Sequence, residues 1–146
     1  MAKMTVSGID ELMLSMKQVA ELPDDVANDM LQAGGKIVRD AQTRKVKSSL
    51  GVRTGALAKA VTVTPKVKTR KNGERYVTVY PKGTHHVNPD GSKVTNNEVF
   101  FINEYGAPKK GITAKGMARA ANEESADEAT AAQAEVYDKW LQSKNL

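Results

Sequence analysis

"LAKAVTVTPKVKTRKNGERYVTVYP", residues 57–81, decides how this chain folds. Val61, Val63 and Val67 alternate with Thr62, Thr64, Lys66 and Lys68. Alternation of β-branched and polar side chains with a period of two marks a half-buried strand. Asn72-Gly73 follows, the dipeptide that tight hairpin turns favour because glycine takes positive φ at no steric cost. "YVTVYP", residues 76–81, is the returning partner. Pro65 has no N–H to give to a ladder and so marks an edge position or a bulge. The stretch predicts an antiparallel hairpin over 57–81.

Toward the N-terminus the period changes to that of a helix. Val26, Met30, Ala33, Ile37, Val38 and Ala41 form one stripe. Pro23 suits a helix start, and Asp24, Asp25 and Asp29 suit the positive end of the helix dipole. Lys45 and Lys47 suit the negative end, and Gly51 can stop the helix, so it ends between Ser48 and Gly51. Gly34-Gly35 interrupt it at about 1 kcal/mol each relative to Ala. They read either as a weak point or as a place where another backbone comes close. Upstream, Ser7 followed by "GIDELMLSMKQVAEL" reads as a capped amphipathic helix, with Ile9, Leu12, Met13, Met16 and Val19 at helical spacing. Thr54-Gly55 stand where the helix pattern stops and the strand pattern starts. Thr54 can hydrogen-bond its own backbone and Gly55 bends freely, so the pair is a hinge from helix to sheet.

Toward the C-terminus, residues 82–98 are polar and turn-rich and predict a long loop. "VFFINEYG", residues 99–106, reads as a third strand over 99–104, and "APKKGITAKG" as another loop. From Gly116 to Ser143 an Ala-rich helix follows, with Met117, Ala121, Ala129, Ala132, Val136 and Trp140 as its sparse stripe. Such a helix buries little area and must dock on its own sheet or on a neighbouring subunit. The expected fold is α+β. A small antiparallel sheet, the hairpin 57–81 plus strand 99–104, packs with two N-terminal helices and the C-terminal Ala-rich helix. One domain spans 1–146, with a long loop at 82–98 and a C-terminal helical arm at 116–146. A sheet this small has open edges, which invite pairing with another chain.

Composition narrows the chemistry. With 40% hydrophobic but only 5% aromatic residues, the core is lean, and six Met make parts of it adaptable. The absence of cysteine excludes disulfides and thiolate metal sites. No apolar run reaches the length of a membrane span, and no apolar core of a secretory signal is present at the N-terminus. The net charge of +5 is unevenly spread. Residues 36–71 hold eleven Lys or Arg against Asp40 alone, while residues 1–35 and 116–146 are net acidic. Such a layout attracts nucleic acid, or attracts copies of the chain head to tail.

No catalytic pattern emerges. His85 and His86 are the only histidines; with Asn88 and Asp90 they suggest a metal, but adjacent strand residues face opposite sides and no third soft ligand is within reach. Asp90, Glu98 and Glu104 have no base at motif spacing; Glu104 can cap or pair with a basic neighbour. "GVRTG" lacks the Lys-Ser/Thr ending of a phosphate loop. No enzymatic activity, metal or cofactor is expected. "VKTRKNGER", residues 67–75, forms a basic hairpin tip, and Lys66, Lys68, Arg70, Lys71 and Arg75 are candidate contacts to a DNA backbone. Base-specific reading is not expected, since no helix-turn-helix or zinc-finger pattern is present.

Two separated stretches resemble one family. "RTGALAKAVTV" resembles the junction of the head–tail joining, or tail-completion, proteins of long-tailed double-stranded-DNA bacteriophages, often described as minor tail components. "VFFINEYGAPKKGITAKGMARAANEE" resembles their second signature, an aromatic strand ending in Glu-aromatic-Gly, then a loop and the start of the last helix. Glu104, Tyr105 and Gly106 match its first part, and Ala114, Met117, Arg119 and Ala120 fall where the helix start lies. The two-helix opening over 8–42 is also similar. Two departures stand out: Gly51-Val52 replace a frequent Pro, and Gly116-Met117 replace the usual Pro-Phe.

The resemblance implies a structural virion protein of the neck or tail, assembled in the host cytoplasm. It would form an oligomeric ring at the head–tail junction or the head-proximal tail end and complete the tail for head docking. Its partners would be further copies and neighbouring neck or tail proteins, with non-specific contact to DNA in the lumen and none to membrane. Arg53, Thr54, Gly55, Glu104, Tyr105, Gly106, Met117 and Arg119 become subunit-interface or junction candidates. The competing reading is a basic, non-sequence-specific nucleic-acid-binding accessory protein.

Overall fold

The computed structural model describes residues 4–7, 11–14, 22–50 and 56–144. In chain order the elements are β1 (Met4–Ser7), β2 (Glu11–Leu14), α1 (Asp24–Leu50), α2 (Ala56–Ala60), β3 (Val61–Val63), β4 (Lys68–Thr69), β5 (Arg75–Pro81), β6 (Thr84–Val87), β7 (Lys93–Thr95), α3 (Asn96–Tyr105) and α4 (Met117–Ser143), with a 3-10 turn at Pro108–Lys110. The class is α+β, as the sequence predicts. Among the described residues no helix is long and apolar enough to cross a membrane.

The hairpin forms, but it starts at Val61, because Ala56–Ala60 make the short helix α2. β5 is the sheet's central strand. It pairs antiparallel with β3 and β4 along one edge and with β2 along the other. Pro65 has the expected consequence: the first arm is broken into β3 and β4. Thr64 bridges the break. Its N–H and its hydroxyl both donate to the Thr78 carbonyl, and its Oγ1 accepts from the Thr78 N–H at 3.1 Å. At the tip Arg70 and Glu74 close a three-residue turn with Gly73 at φ 89°.

The sheet's inner face presents Val61, Val77 and Val79 to α1. α1 is the central element, buried on two sides. Val26, Met30, Leu31 and Val38 pack in one cluster with those valines and with Ala129 of α4. Full burial of each large apolar side chain stabilises by about 1.5–3 kcal/mol. Gly35 decides between the two readings of the glycine pair: a Cβ there would sit 2.8 Å from Val63 Cγ1. The glycine is a close-packing site, against a strand side chain rather than a backbone. α4 runs antiparallel to α1, contributing small residues, as its alanines foretell. Gln42 donates to Asn122 across this seam at 3.1 Å, and Lys45 pairs with Glu124 at 3.0 Å. The C-terminal helix is therefore docked on its own chain rather than extended as an arm. A second cluster joins Val46 of α1, Leu57 and Ala58 of α2, Phe100 of α3, and Met117 and Ala118 of α4.

Three expectations are corrected. The expected first helix is replaced where the structure describes it: Met4–Ser7 and Glu11–Leu14 pair as strands, and β2 extends the sheet along β5. Residues 8–10 and 15–21 lie outside the described residues. An open strand edge offers a ladder of backbone hydrogen bonds that outweighs a local helical pattern. The expected strand 99–104 is helix α3. Thr95 caps it, accepting from Glu98 N, while the Glu98 side chain accepts from Thr95 N. This reciprocal capping box sits immediately before the apolar run and fixes it as helix. The expected loop 82–98 holds the hairpin of β6 and β7 and the first turn of α3.

Candidate junction site

The residues of the second signature meet at one place, where α3 hands over to α4. Glu104 lies on the inner face of α3 and is only 4% exposed. Its two carboxyl oxygens accept from the backbone N–H groups of Ala118 at 2.7 Å and Arg119 at 3.1 Å. The first N–H groups of a helix have no partner within the helix, and Gly116, the residue before α4, has no side chain to supply one. Glu104 supplies it from a different helix, and its charge suits the positive end of the α4 dipole. The expectation that Glu104 caps is met, but from a helix rather than a strand end.

Gly106 ends α3 at φ 79°, and its N–H donates to the Ile102 carbonyl at 2.7 Å. A Cβ there would meet Ala114 N at 2.8 Å and Ile112 O at 2.9 Å, so only glycine fits. The chain then forms a short bridge between Ala107 and Ile112 around the 3-10 turn. Lys115 N donates to the Asn103 carbonyl, and Gly116 N to that of Glu104, which ties the loop back to α3. Met117 is buried in the second core cluster. Arg119 points outward and pairs with Glu123 at 3.3 Å. Tyr105 also points outward. It packs on Phe101, one turn earlier, with ring centroids 4.7 Å apart. An open pocket of about 440 Å³ adjoins Tyr105, lined by Gly106, Pro108, Ile112, Thr113 and Ala114 among others.

The structure thus brings together Glu104, Tyr105, Gly106, Met117 and Arg119 and divides them. Glu104, Gly106 and Met117 hold the fold; Tyr105 and Arg119 face solvent. Arg53, Thr54 and Gly55 lie outside the described residues. Sequence reading missed Phe101, Ile112 and the flanking Lys109 and Lys110. The signal was present: Phe101 and Tyr105 stand four apart, the helical neighbour spacing, visible once 96–105 is read as a helix.

The basic hairpin tip is a separate feature. Lys66, Lys68, Arg70 and Lys71 are exposed. Arg70 lies over the Tyr76 ring at 5.0 Å and within 4.0 Å of Glu74. Arg75 differs: only 12% of its side chain is exposed, it donates to the Leu22 carbonyl at 2.8 Å, and it pairs with Asp24 at 3.5 Å. It anchors the hairpin to the start of α1. His85 and His86 are exposed on β6, their Nδ1 atoms 2.8 Å apart. Among the described residues no group of three or more His, Cys, Asp or Glu is placed to hold a metal ion. The exposed Asp90 is held below the ordinary carboxyl range by hydrogen bonds from the Ser92 side chain and backbone.

One family model, described as "Bacteriophage HK97-gp10, putative tail-component", matches residues 10–88. No curated protein and no solved structure matches the chain. The matched span runs from β2 through β6. It contains the 53–63 stretch and the basic hairpin, and it ends before α3. It covers more than half of the sequence, and with it the α1-on-sheet arrangement described above. The chain belongs to the HK97 gp10-like family of bacteriophage tail components, structural proteins of the virion.

Proposed function

We propose that copies of this chain assemble into a ring at the head–tail junction or the head-proximal end of the tail, completing the tail so that the head can dock. The observation that carries this reading is the match of residues 10–88 to a tail-component family. The surface is consistent with assembly. Among the described residues the exposed large hydrophobic side chains are Val87, Phe101 and Tyr105, and two of these form one aromatic platform. The role is geometric: the chain supplies docking faces, with neighbouring neck or tail proteins as partners, and assembly takes place in the host cytoplasm before the virion is complete. Negative-stain microscopy of the purified chain, with and without isolated tail tubes, tests it. Rings, or caps on tube ends, are expected; monomers in both preparations would refute the reading.

A second reading, non-specific nucleic-acid binding, is favoured by one observation. Lys66, Lys68 and Lys71 are exposed and form no ion pair among the described residues. It predicts DNA affinity that falls steeply with salt and no ring. Both readings meet if the tip faces DNA passing through a lumen.

A further inference from the structure

Phe101 and Tyr105 are 55% and 53% exposed on the outer face of α3. They do not stand alone. The two rings pack on each other with their planes tilted by 53°, and Tyr105 lines the open pocket together with Pro108, Ile112 and Ala114. Lys109, Lys110 and Lys115 are exposed around it. Lys109 and Lys110 form no ion pair among the described residues, and Lys115 reaches only the side-chain oxygen of Asn103, at 3.4 Å. An apolar centre with a charged rim is how specific protein interfaces are built, with aromatic anchors at the middle. A complementary surface has small or apolar residues at its centre and acids around them.

The same chain carries such a surface. On α4, Asp127, Ala131 and Asp138 share one helical face, with Glu128 and Glu135 beside them, and all five are exposed. Glu135 pairs with Lys139, while Asp127, Glu128 and Asp138 form no ion pair among the described residues. Ala131 leaves a flat place between the acids where two rings can lie against the helix.

We infer that the Asp127–Asp138 face of α4 from a second copy docks on the Phe101–Tyr105 platform, with Lys109, Lys110 and Lys115 facing its acids. The inference rests on the ring reading above and names its contact. Platform and acidic face are different patches of one chain, so the contact is heterologous, the kind whose repetition gives a ring when the rotation between copies closes.

The full-length chain, with benzoylphenylalanine in place of Phe101, is irradiated and the cross-links are mapped by mass spectrometry. In parallel, self-association is measured by sedimentation for Lys109→Glu/Lys110→Glu, for Asp127→Lys/Glu128→Lys and for their equal mixture. All four positions are exposed, and circular dichroism checks that the variants fold. Cross-links to α4 of a second copy are expected. Each double variant alone should weaken association by about tenfold or more, and the mixture should recover it, because the reversed charges then face each other. If the wild type forms rings that neither variant disturbs, this contact is overturned and the ring reading stands. If the wild type assembles neither in solution nor on tail ends, both fall. Cross-links confined to another tail protein or to DNA also overturn the contact.

Discussion

The α3–α4 junction and the tip of the 61–81 hairpin use glycine and charge in opposite ways. At the junction one acid, Glu104, is buried and bonded twice, and one glycine, Gly106, is walled in by backbone. At the tip Lys66, Lys68 and Lys71 are exposed to water, and Gly73, at φ 89°, has nothing within 4 Å of where a Cβ would be. The contrast shows that residue type does not reveal a role. A buried charge whose partners have no substitute holds the fold, whereas an exposed one is free to meet a partner. Arg75 makes the same point within the hairpin. Five residues from Arg70, it is enclosed, donates to the Leu22 carbonyl and serves the fold instead.

The comparison is testable from its largest effect down. Gly106→Ala should cost about 3 kcal/mol, because the strain of positive φ adds to collision with backbone atoms that cannot rotate away. The chemical denaturation midpoint reads this directly, and a loss no larger than that of Gly73→Ala would erase the contrast. Glu104→Ala should cost about 2 kcal/mol, leaving the buried Ala118 N–H and the half-buried Arg119 N–H at the start of α4 without their side-chain partner. Amide exchange at Ala118 and Arg119 should rise ahead of the rest of the helix.

Gly73→Ala should cost about 1 kcal/mol, the conformational strain alone. The joint replacement Lys66→Ala/Lys68→Ala/Lys71→Ala should leave stability within about 0.5 kcal/mol. If the tip contacts DNA, the logarithmic salt slope of binding should fall by about one per lysine removed. The smallest effect concerns Asp90. Its folded pKa lies below the ordinary 3.8, so its contribution is present above that value and is lost as pH falls through the lower folded one. The Ser92 amide resonance should follow this titration, and Asp90→Asn should abolish the pH dependence.

Much of this architecture was legible from residues close in sequence. Asn72-Gly73 and the valine alternation place the hairpin, Pro65 its interruption, and Pro23 with its aspartates the start of α1. The apolar stripe from Val26 to Ala41 places α1 against the core, and the Ala-rich pattern sets the limits of α4. The run "VFFI" fits strand and helix equally, since short apolar runs have no period of their own. Thr95 and Glu98, three apart, held the answer in local capping chemistry.

Sequence alone therefore determined the elements whose cause is local: turn dihedrals, dipole ends and the periodicity of apolar positions. Tertiary structure decided the rest. Glu11–Leu14 became a strand because the edge of β5 lay open to it. Gly35 was needed because Val63 arrives from another element. Glu104 became a helix cap because folding brings it to N–H groups fourteen and fifteen residues away. These are backbone hydrogen bonds and close contacts between distant segments, and no short window of sequence contains both partners.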